Sequence, residues 1–488
     1  MLRPSTQTEF AAGFVRGVLS IGVGTILQII LGLAGLMVAV RFISSEEFGV
    51  FVLLQVIASF FIALGNLAVQ DVSVTKFIVG ADDEQKFVVA STALCFNFII
   101  GVLISFVIVM CKPLMYCLLK SERLSELTVY IPVFFLLNSF NELLIYILQG
   151  FHQYKIIAVS QLVNGLVKFL LILILLAYLG MNVVGLIYAF YLSFLASIVT
   201  LYFGIPSRKR LMVSRRWFLE MVKFGFPLGL NRLLSFAFSR VDRLILGAML
   251  SPVGVAYFEV ASRIPENGYR LLQSFQSVFF PNMSELISRK NQIEAEKMLN
   301  NSLRIVTVIS AMAALVILLF KEDVVSVLFS DKYLESASAL WILTVALSMG
   351  SIEYILGGTL VALGKSDKPL KINLLSAMTN VAGNIIMIPI FGFVGAAYAT
   401  LLARIVANPV YVLFVNKCGL QVNLRKYLTP IVILGACGSV YMVYGSIGVG
   451  FKISLILIFV ALCLGLSVIT WKDMTILLKG MKGMRRRS

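Results

Sequence analysis

The sequence predicts an all-α membrane protein in which about 14 transmembrane helices form two pseudo-symmetric six-helix bundles around a central cavity, with two extra C-terminal helices. Three observations support this prediction. The 488 residues are 59% hydrophobic and only 13% charged, apolar runs recur along the whole chain, and the chain contains an internal repeat. A soluble protein of this length carries roughly twice that charged fraction.

Each apolar run is about 20 residues long, which is enough to cross a bilayer as a helix. The predicted spans cover residues 14–40, 48–70, 87–111, 126–148, 156–179, 182–205, 224–250, 253–280, 302–320, 336–362, 370–391, 393–415, 428–446 and 450–471. Most of the 41 Lys and Arg residues then fall on the side that holds both termini. Because basic residues gather in cytoplasmic loops, both termini are expected in the cytoplasm. The first span lacks a cleavage site and is expected to remain a helix.

The charge and the cysteines bear on possible partners. In a membrane protein a net charge of +17 reflects basic cytoplasmic segments, so nucleic acid is not expected as a partner. These segments are expected to set the topology and to contact anionic membrane lipids. The six cysteines show no CxxC spacing and His152 is the only histidine, so neither a metal site nor a disulfide framework is expected. No cofactor is expected.

The two halves of the chain resemble each other. LQGFHQYKIIAVSQLVNGLVKFLL (148–171) matches LVALGKSDKPLKINLLSAMTNVAGNII (360–386), which aligns Asn164 with Asn380 and Lys168 with Asn384. Corresponding spans run in the same direction, as in transporters built from parallel repeats. The predicted organisation is an N-terminal bundle at 1–205, a basic cytoplasmic linker at 206–223, a C-terminal bundle at 224–415, two additional transmembrane helices at 416–471 and a basic cytoplasmic tail at 472–488.

The seventh predicted span carries charges that are costly inside a membrane. On a helical wheel Arg232, Arg240, Arg243 and Asp242 share one face, and the opposite face is apolar. Three bases and one acid on one helix favour a water-lined cavity or an anionic ligand. Guanidinium groups match phosphate oxygens, so a phosphorylated cargo is predicted. Lys168, near the middle of the fifth span, is expected to join these bases.

The eighth span has a regular polar stripe of Glu259, Arg263, Glu266, Arg270 and Gln273, with spacings of four and three residues. The acid precedes the base in both i,i+4 pairs, which is the favoured order. Two interpretations stay open. The stripe is either a self-paired structural feature or a cavity lining in which the two arginines contact an anionic cargo and the other residues supply hydrogen bonds.

Other polar residues are sparser in the predicted spans. Asn164, Asn380 and Asn384 are expected to line the cavity. Three acids are considered for coupling to H⁺ or Na⁺: Glu142, Glu353 and Asp242. Glu142 and Glu353 fit packing and ion coupling equally well, whereas Asp242 is more readily explained as a partner of Arg240 or Arg243.

Several stretches resemble one family across nearly the whole chain: SRVDRLILGAMLSPVGVAYFEVASRI (239–264), EEFGVFVLLQVI (46–57), LQGFHQYK (148–155) and FGFVGAAYATLL (391–402). They are similar to the bacterial polysaccharide transporters, or Wzx-type O-antigen flippases, of the superfamily that includes the multidrug and toxin extrusion exporters. The resemblance implies two bundles in a V around a cavity that opens to each side in turn.

The resemblance also implies a function. The cargo would be an oligosaccharide on undecaprenyl diphosphate, flipped across the bacterial cytoplasmic (inner) membrane for O-antigen, lipopolysaccharide, capsule or exopolysaccharide assembly. Polymerase or ligase machinery would be the protein partner. The family brings no catalytic motif, and no enzyme activity is expected.

Two other functions remain open at this point. A cation-coupled exporter of small molecules or drugs would bind its cargo at acidic residues. A membrane glycosyltransferase or polymerase would need a catalytic carboxylate in a sizeable outside loop, and the predicted outside loops are short.

Overall fold

The computed structural model describes residues 27–65, 71–119, 121–205, 212–445, 448–466 and 468. All regular secondary structure in these ranges is helical, as predicted. The chain divides into two compact units, Met1–Ala256 and Tyr257–Ser488.

The first unit contains helices α1 to α10, of which α3, α5 and α6 are short. They are α1 Leu27–Phe42, α2 Ser45–Gly65, α3 Asp71–Gly80, α4 Asp83–Met110, α5 Lys112–Leu119, α6 Glu122–Leu127, α7 Ile131–Gly150, α8 Tyr154–Ile172, α9 Val183–Phe203 and α10 Arg215–Met249. A 3₁₀ turn at Thr128–Tyr130 precedes α7, and a π-helical segment at Leu173–Tyr178 extends α8.

The second unit contains most of α11 and all of α12 to α17. They are α11 Pro252–Ser288, α12 Gln292–Leu328, α13 Ser336–Ala362, α14 Asp367–Phe391, α15 Phe393–Lys417, α16 Leu424–Tyr444 and α17 Val449–Gly465. A 3₁₀ turn at Asp331–Tyr333 lies between α12 and α13.

Ten helices in the described ranges are long and apolar enough to cross a membrane. Two further apolar helices, α1 and α17, are shorter. Helices α10 and α11 have 35 and 37 residues, ample length for a span, but they carry the charged faces noted in the sequence. A multi-pass membrane protein is therefore confirmed, and the count of fourteen spans stays a prediction.

Two segments differ from the sequence prediction. Residues 71–80, predicted to lie outside the spans, form α3, because Val74 and Ile78 give it a fully buried face one turn apart. Helix α10 begins at Arg215, inside the predicted linker 206–223, because Ser214 caps it by accepting a hydrogen bond from the Trp217 amide. The charges at 215–223 thus belong to the first turns of a helix rather than to a loop.

The boundary of the first unit also lies further along the chain than the predicted bundle at 1–205. Helix α10 packs on α2, and a Cβ at Gly247 would lie 2.7 Å from Leu53 Cδ2. The missing side chain therefore lets the two helices approach closely.

The internal repeat forms matching hairpins, α8–α9 in the first unit and α14–α15 in the second. Both turns contain a glycine with positive φ, 63° at Gly180 and 62° at Gly392, a conformation that other residues rarely adopt. The repeated Gly185 and Gly395 follow these turns, where a Cβ would lie 2.6 Å from Met181 Cβ and 2.2 Å from the Met387 carbonyl oxygen. The repeated glycines therefore have a steric cause.

The last two helices pack on α12 in the second unit. Leu434 and Cys437 on α16 and Phe459 and Cys463 on α17 share a buried cluster with Leu315 of α12. This arrangement agrees with the prediction of two additional helices after the second bundle.

Gly395→Ala is expected to lower the stability of the protein by roughly 1–3 kcal/mol, because the new methyl group has to displace backbone. The midpoint of heat-induced unfolding of the purified protein in detergent measures the change. Gly435→Ala on α16 is the matched control, since a Cβ there meets nothing within 4 Å. Equal midpoints for the two variants would contradict the steric explanation.

Candidate functional site

One base of α10, Arg232, is paired with an acid on another helix. Arg232 Nη2 donates to Glu142 Oε2 of α7 at 2.5 Å, and about 30% of each side chain is exposed. The wheel of α10 alone did not show this partner. With Glu142 included, the cluster has three bases and two acids, so the positive excess is smaller than the helix by itself indicates.

The next turns of α10 are more deeply buried. Arg243 is 2% exposed and donates from Nη1 to the Ser239 carbonyl oxygen at 3.1 Å. Asp242 Oδ2 lies 3.9 Å from the same nitrogen, which is a loose ion pair. Arg240 is half-buried. Of these three bases, Arg243 is the most buried, and Arg232 and Arg240 keep more exposed surface.

Lys168 of α8 lies over aromatic rings of α9. Its Nζ is 4.3 Å from the centre of the Phe190 ring and 5.6 Å from that of Phe194. Such cation–π contacts stabilise a partly desolvated ammonium group. The structure therefore gives this charge aromatic neighbours within its own hairpin.

The three asparagines predicted to line the cavity lie at helix contacts. Asn164 Nδ2 donates to the Ser193 carbonyl oxygen across the α8–α9 hairpin at 3.1 Å. Asn380 Nδ2 donates to Thr400 Oγ1 across α14–α15 at 3.2 Å, and the fully buried Asn384 donates to Asn380 Oδ1 at 3.0 Å. Asn164 and Asn380, which the repeat aligns, thus hold equivalent hairpins together.

The stripe on α11 is partly described. Glu259 is 1% exposed and pairs with Arg263 at 2.5 Å, which confirms the first predicted i,i+4 pair. Glu266 is half-buried and Arg270 is exposed. The side chain of Gln273 lies outside the described residues. The buried Glu259, paired within its own helix, fits the structural interpretation of this end of the stripe, although Arg263 keeps 28% of its side chain exposed.

Glu353 in the second unit also has an arginine partner. Arg404 Nη1 of α15 donates to Glu353 Oε2 of α13 at 2.6 Å, and Asn408 Nδ2 lies 3.4 Å from Oε1. Arg404 and Asn408 are one turn apart on α15, so both reach the same carboxylate. Of the three acids considered for ion coupling, Glu142 and Glu353 are therefore paired with arginines from other helices, and Asp242 lies near Arg243 of its own helix.

A pocket of about 320 Å³ opens beside the Glu353–Arg404 pair. Its walls come from α11, α13, α14 and α15, and they include Tyr269, Tyr354, Asn373 and Tyr411. The Tyr269 and Tyr354 rings meet edge to face with centroids 5.5 Å apart. The sequence analysis missed these tyrosines and Asn373, because a tyrosine in an apolar span has the same pattern as core.

No group of three or more His, Cys, Asp or Glu side chains suited to a metal ion occurs among the described residues. The clusters in both units combine paired charges, amides and aromatic rings. Such groups can bind polar and charged ligands through hydrogen bonds.

Known proteins with related sequences match about half of this chain. The probable low-salt glycan biosynthesis flippase Agl15 of Haloferax volcanii is 26% identical over 238 residues, which is 48% of this chain and 49% of Agl15. The capsular polysaccharide biosynthesis protein CapF of Staphylococcus aureus is 24% identical over 200 residues, 41% of this chain and 50% of CapF. The chain thus spans about half the length of these relatives.

The fold matches solved transporters over a larger share. The lipid II flippase MurJ in its inward closed conformation superposes with a TM-score of 0.74 at 16% identity, covering 93% of this chain and 99% of MurJ. An inward-facing multidrug resistance MATE family transporter of the MOP superfamily gives 0.68 at 18% identity, covering 82% of this chain and 98% of that one. The all-α transporter fold expected from the sequence is confirmed.

One family model covers more than half of the chain, residues 38–338, and its description is polysaccharide biosynthesis protein. This range includes Arg232, Arg240, Arg243, Glu142 and the Glu259–Arg263 pair. Three of the four stretches that carried the sequence resemblance lie within it, and the fourth, 391–402, lies beyond it. The chain belongs to this family of polysaccharide biosynthesis proteins.

Proposed function

We propose that this protein is a flippase that moves a lipid-linked oligosaccharide from the cytoplasmic to the outer leaflet of a membrane. Family membership, a relative named as a glycan biosynthesis flippase and a fold shared with MurJ support this proposal. The carrier is undecaprenyl diphosphate, and the product serves O-antigen, capsule or exopolysaccharide assembly in the bacterial inner membrane. Polymerase or ligase machinery receives the flipped lipid-linked oligosaccharide.

The observation that carries the proposal is the basic cluster on α10. Arg232, Arg240 and Arg243 lie within twelve residues of one helix; Arg232 donates to Glu142, and Asp242 lies 3.9 Å from Arg243. A diphosphate suits such a concentration of guanidinium groups, because its oxygens accept the paired hydrogen bonds that these groups donate.

When the cargo binds, a phosphate oxygen exchanges with Glu142 as the hydrogen-bond acceptor of Arg232. Each side chain keeps about 30% of its surface exposed, so a phosphate oxygen can reach Arg232 and replace Glu142 as its acceptor. The released carboxylate then favours taking up H⁺ or Na⁺, because an unpaired charge in a membrane is costly. Cargo binding and ion uptake are thereby linked at one residue, and alternating access of the two bundles carries the cargo across.

Cation-coupled drug export is the alternative function within the same fold, since a MATE transporter also superposes on this chain. A cationic drug needs acidic residues at its binding site. Here Glu142 and Glu353 already accept hydrogen bonds from arginines, so such a drug has to displace a guanidinium group. The charges therefore favour an anionic cargo.

The first test uses cells depleted of this protein. Lipid-linked oligosaccharides are expected to accumulate and to remain protected from a glycosidase confined to the periplasm, whereas cells with the protein expose them. If the oligosaccharides in depleted cells were as accessible to the glycosidase as in normal cells, the flippase proposal would be wrong and drug export would become the favoured function.

Arg232→Gln is expected to weaken binding of undecaprenyl diphosphate by the purified protein in nanodiscs by about tenfold or more, because a charge-assisted hydrogen bond is lost. Glu142→Gln is expected to keep or strengthen this binding, since Arg232 is then no longer held by a carboxylate. A loss of equal size in both variants would show that the pair only joins α7 to α10. The unfolding midpoint of each variant controls for folding.

Arg240→Ala is expected to abolish or strongly reduce exposure of the oligosaccharide on the outer leaflet, because the half-buried base is needed for the diphosphate. Arg216→Ala is the matched control on the same helix, as its side chain is 78% exposed and pairs with Glu220. Normal flipping by the Arg240 variant, at equal protein levels, would favour the exporter instead.

A further inference from the structure

We propose that the pocket beside Glu353 and Arg404 in the second unit binds one sugar ring of the cargo. The inference rests on the proposed function and assigns the sugar to residues other than the bases that hold the diphosphate. It also gives Glu353 a role in binding sugar hydroxyls, different from the ion coupling considered from its sequence position.

The size of the pocket fits a single ring. Its volume of about 320 Å³ lies at the lower end of the 300–1,000 Å³ range of small-molecule sites. Gly357 and Gly358 on α13 line it without side chains, and a Cβ on Gly357 would lie 3.5 Å from the Tyr411 ring. The pocket therefore has room at α13 because these two positions lack side chains.

The walls supply the aromatic faces that sugar rings pack against. The edge-to-face contact between Tyr269 and Tyr354 fixes two rings at an interplanar angle of 67°. An aromatic face carries partial negative charge, so it attracts the weakly positive C–H groups on one side of a pyranose. Tyr411 is also fixed, because its hydroxyl donates to Asn373 Oδ1 at 2.8 Å.

The polar groups of the pocket suit neutral hydroxyls better than phosphate. Glu353 is an acceptor and Arg404 a donor, and they lie side by side at 2.6 Å. Neighbouring hydroxyls on a sugar can donate to the first and accept from the second. The guanidinium is reachable, since 30% of the Arg404 side chain is exposed against 5% for Glu353.

The charge balance of the lining excludes two other ligand classes. Glu353 and Arg404 are the charged groups in the lining, and they cancel each other. A diphosphate or a cationic drug would find no net opposite charge in this lining, so the loss of its hydration on entering the pocket would not be offset. A neutral, hydroxyl-rich ring matches both groups at once.

The test uses the full-length protein in nanodiscs. The probe is the oligosaccharide released by mild acid from the lipid carrier of the producing cells, so that it contains no diphosphate. Saturation-transfer NMR detects contact between the protein and the sugar protons. We expect transfer from the wild-type protein to one ring of the probe.

Gly357→Leu fills the pocket and is expected to reduce the transferred signal at least about tenfold, whereas Gly435→Leu on α16, where a Cβ meets nothing within 4 Å, is expected to leave it unchanged. Tyr354→Ala enlarges the pocket and removes an aromatic face, and it is expected to weaken the signal as well. The double variant Glu353→Gln, Arg404→Gln keeps the side-chain sizes and removes the charges, with a similar expected loss.

Two results would overturn the proposal: no transfer from the folded wild-type protein, or equal transfer from the wild-type and the folded Gly357→Leu and Tyr354→Ala variants. Either result leaves the flippase proposal intact, because that proposal is decided by oligosaccharide exposure in depleted cells. Conversely, normal exposure of the oligosaccharide in depleted cells, together with saturation transfer that depends on the pocket, would support the sugar site and contradict the flippase function.

Discussion

The cost of an unpaired charge within apolar surroundings governs the polar architecture of this protein. Removing one partner from a buried ion pair costs about 3–5 kcal/mol, because the other charge stays behind without compensation. Acids and bases here therefore meet across helices, as in Glu142–Arg232 between α7 and α10 and Glu353–Arg404 between α13 and α15. Each pair determines which faces of two helices have to be in contact.

The two ion pairs between helices are more exposed than the apolar core around them. The loose pair of Asp242 with Arg243 is buried at both residues, whereas Glu259 is almost fully buried but its partner Arg263 keeps 28% of its side chain exposed. The two pairs that join different helices keep at least one side chain about 30% exposed. An ion pair that remains accessible is the kind that a ligand can open, since the ligand replaces the lost partner at the moment of exchange.

The sequence predicted the helical membrane fold, the repeat and the charged helices, because apolar run length and glycine spacing are local properties. It identified the pair of Glu259 with Arg263, which lie one turn apart. It did not find the partners of Arg232 and Glu353, since those residues lie 90 and 51 positions away in the chain. The tyrosines of the pocket gave no signal, because polar hydroxyls on aromatic rings do not disturb an apolar pattern.

The asymmetry between the two units follows from this difference in pairing. The hairpins α8–α9 and α14–α15 share their glycine turns and their asparagine contacts, so the repeat sets a common scaffold. The charges do not repeat, because Lys168 aligns with the neutral Asn384. Arg232, Arg240 and Arg243 lie on one helix of the first unit, whereas the pocket of the second unit has one acid beside one base. A diphosphate–sugar cargo has the same asymmetry, with two adjoining negative charges at one end and neutral hydroxyls beyond them. A repeated scaffold whose two copies carry different charges therefore suits a cargo with one negatively charged end and one neutral end.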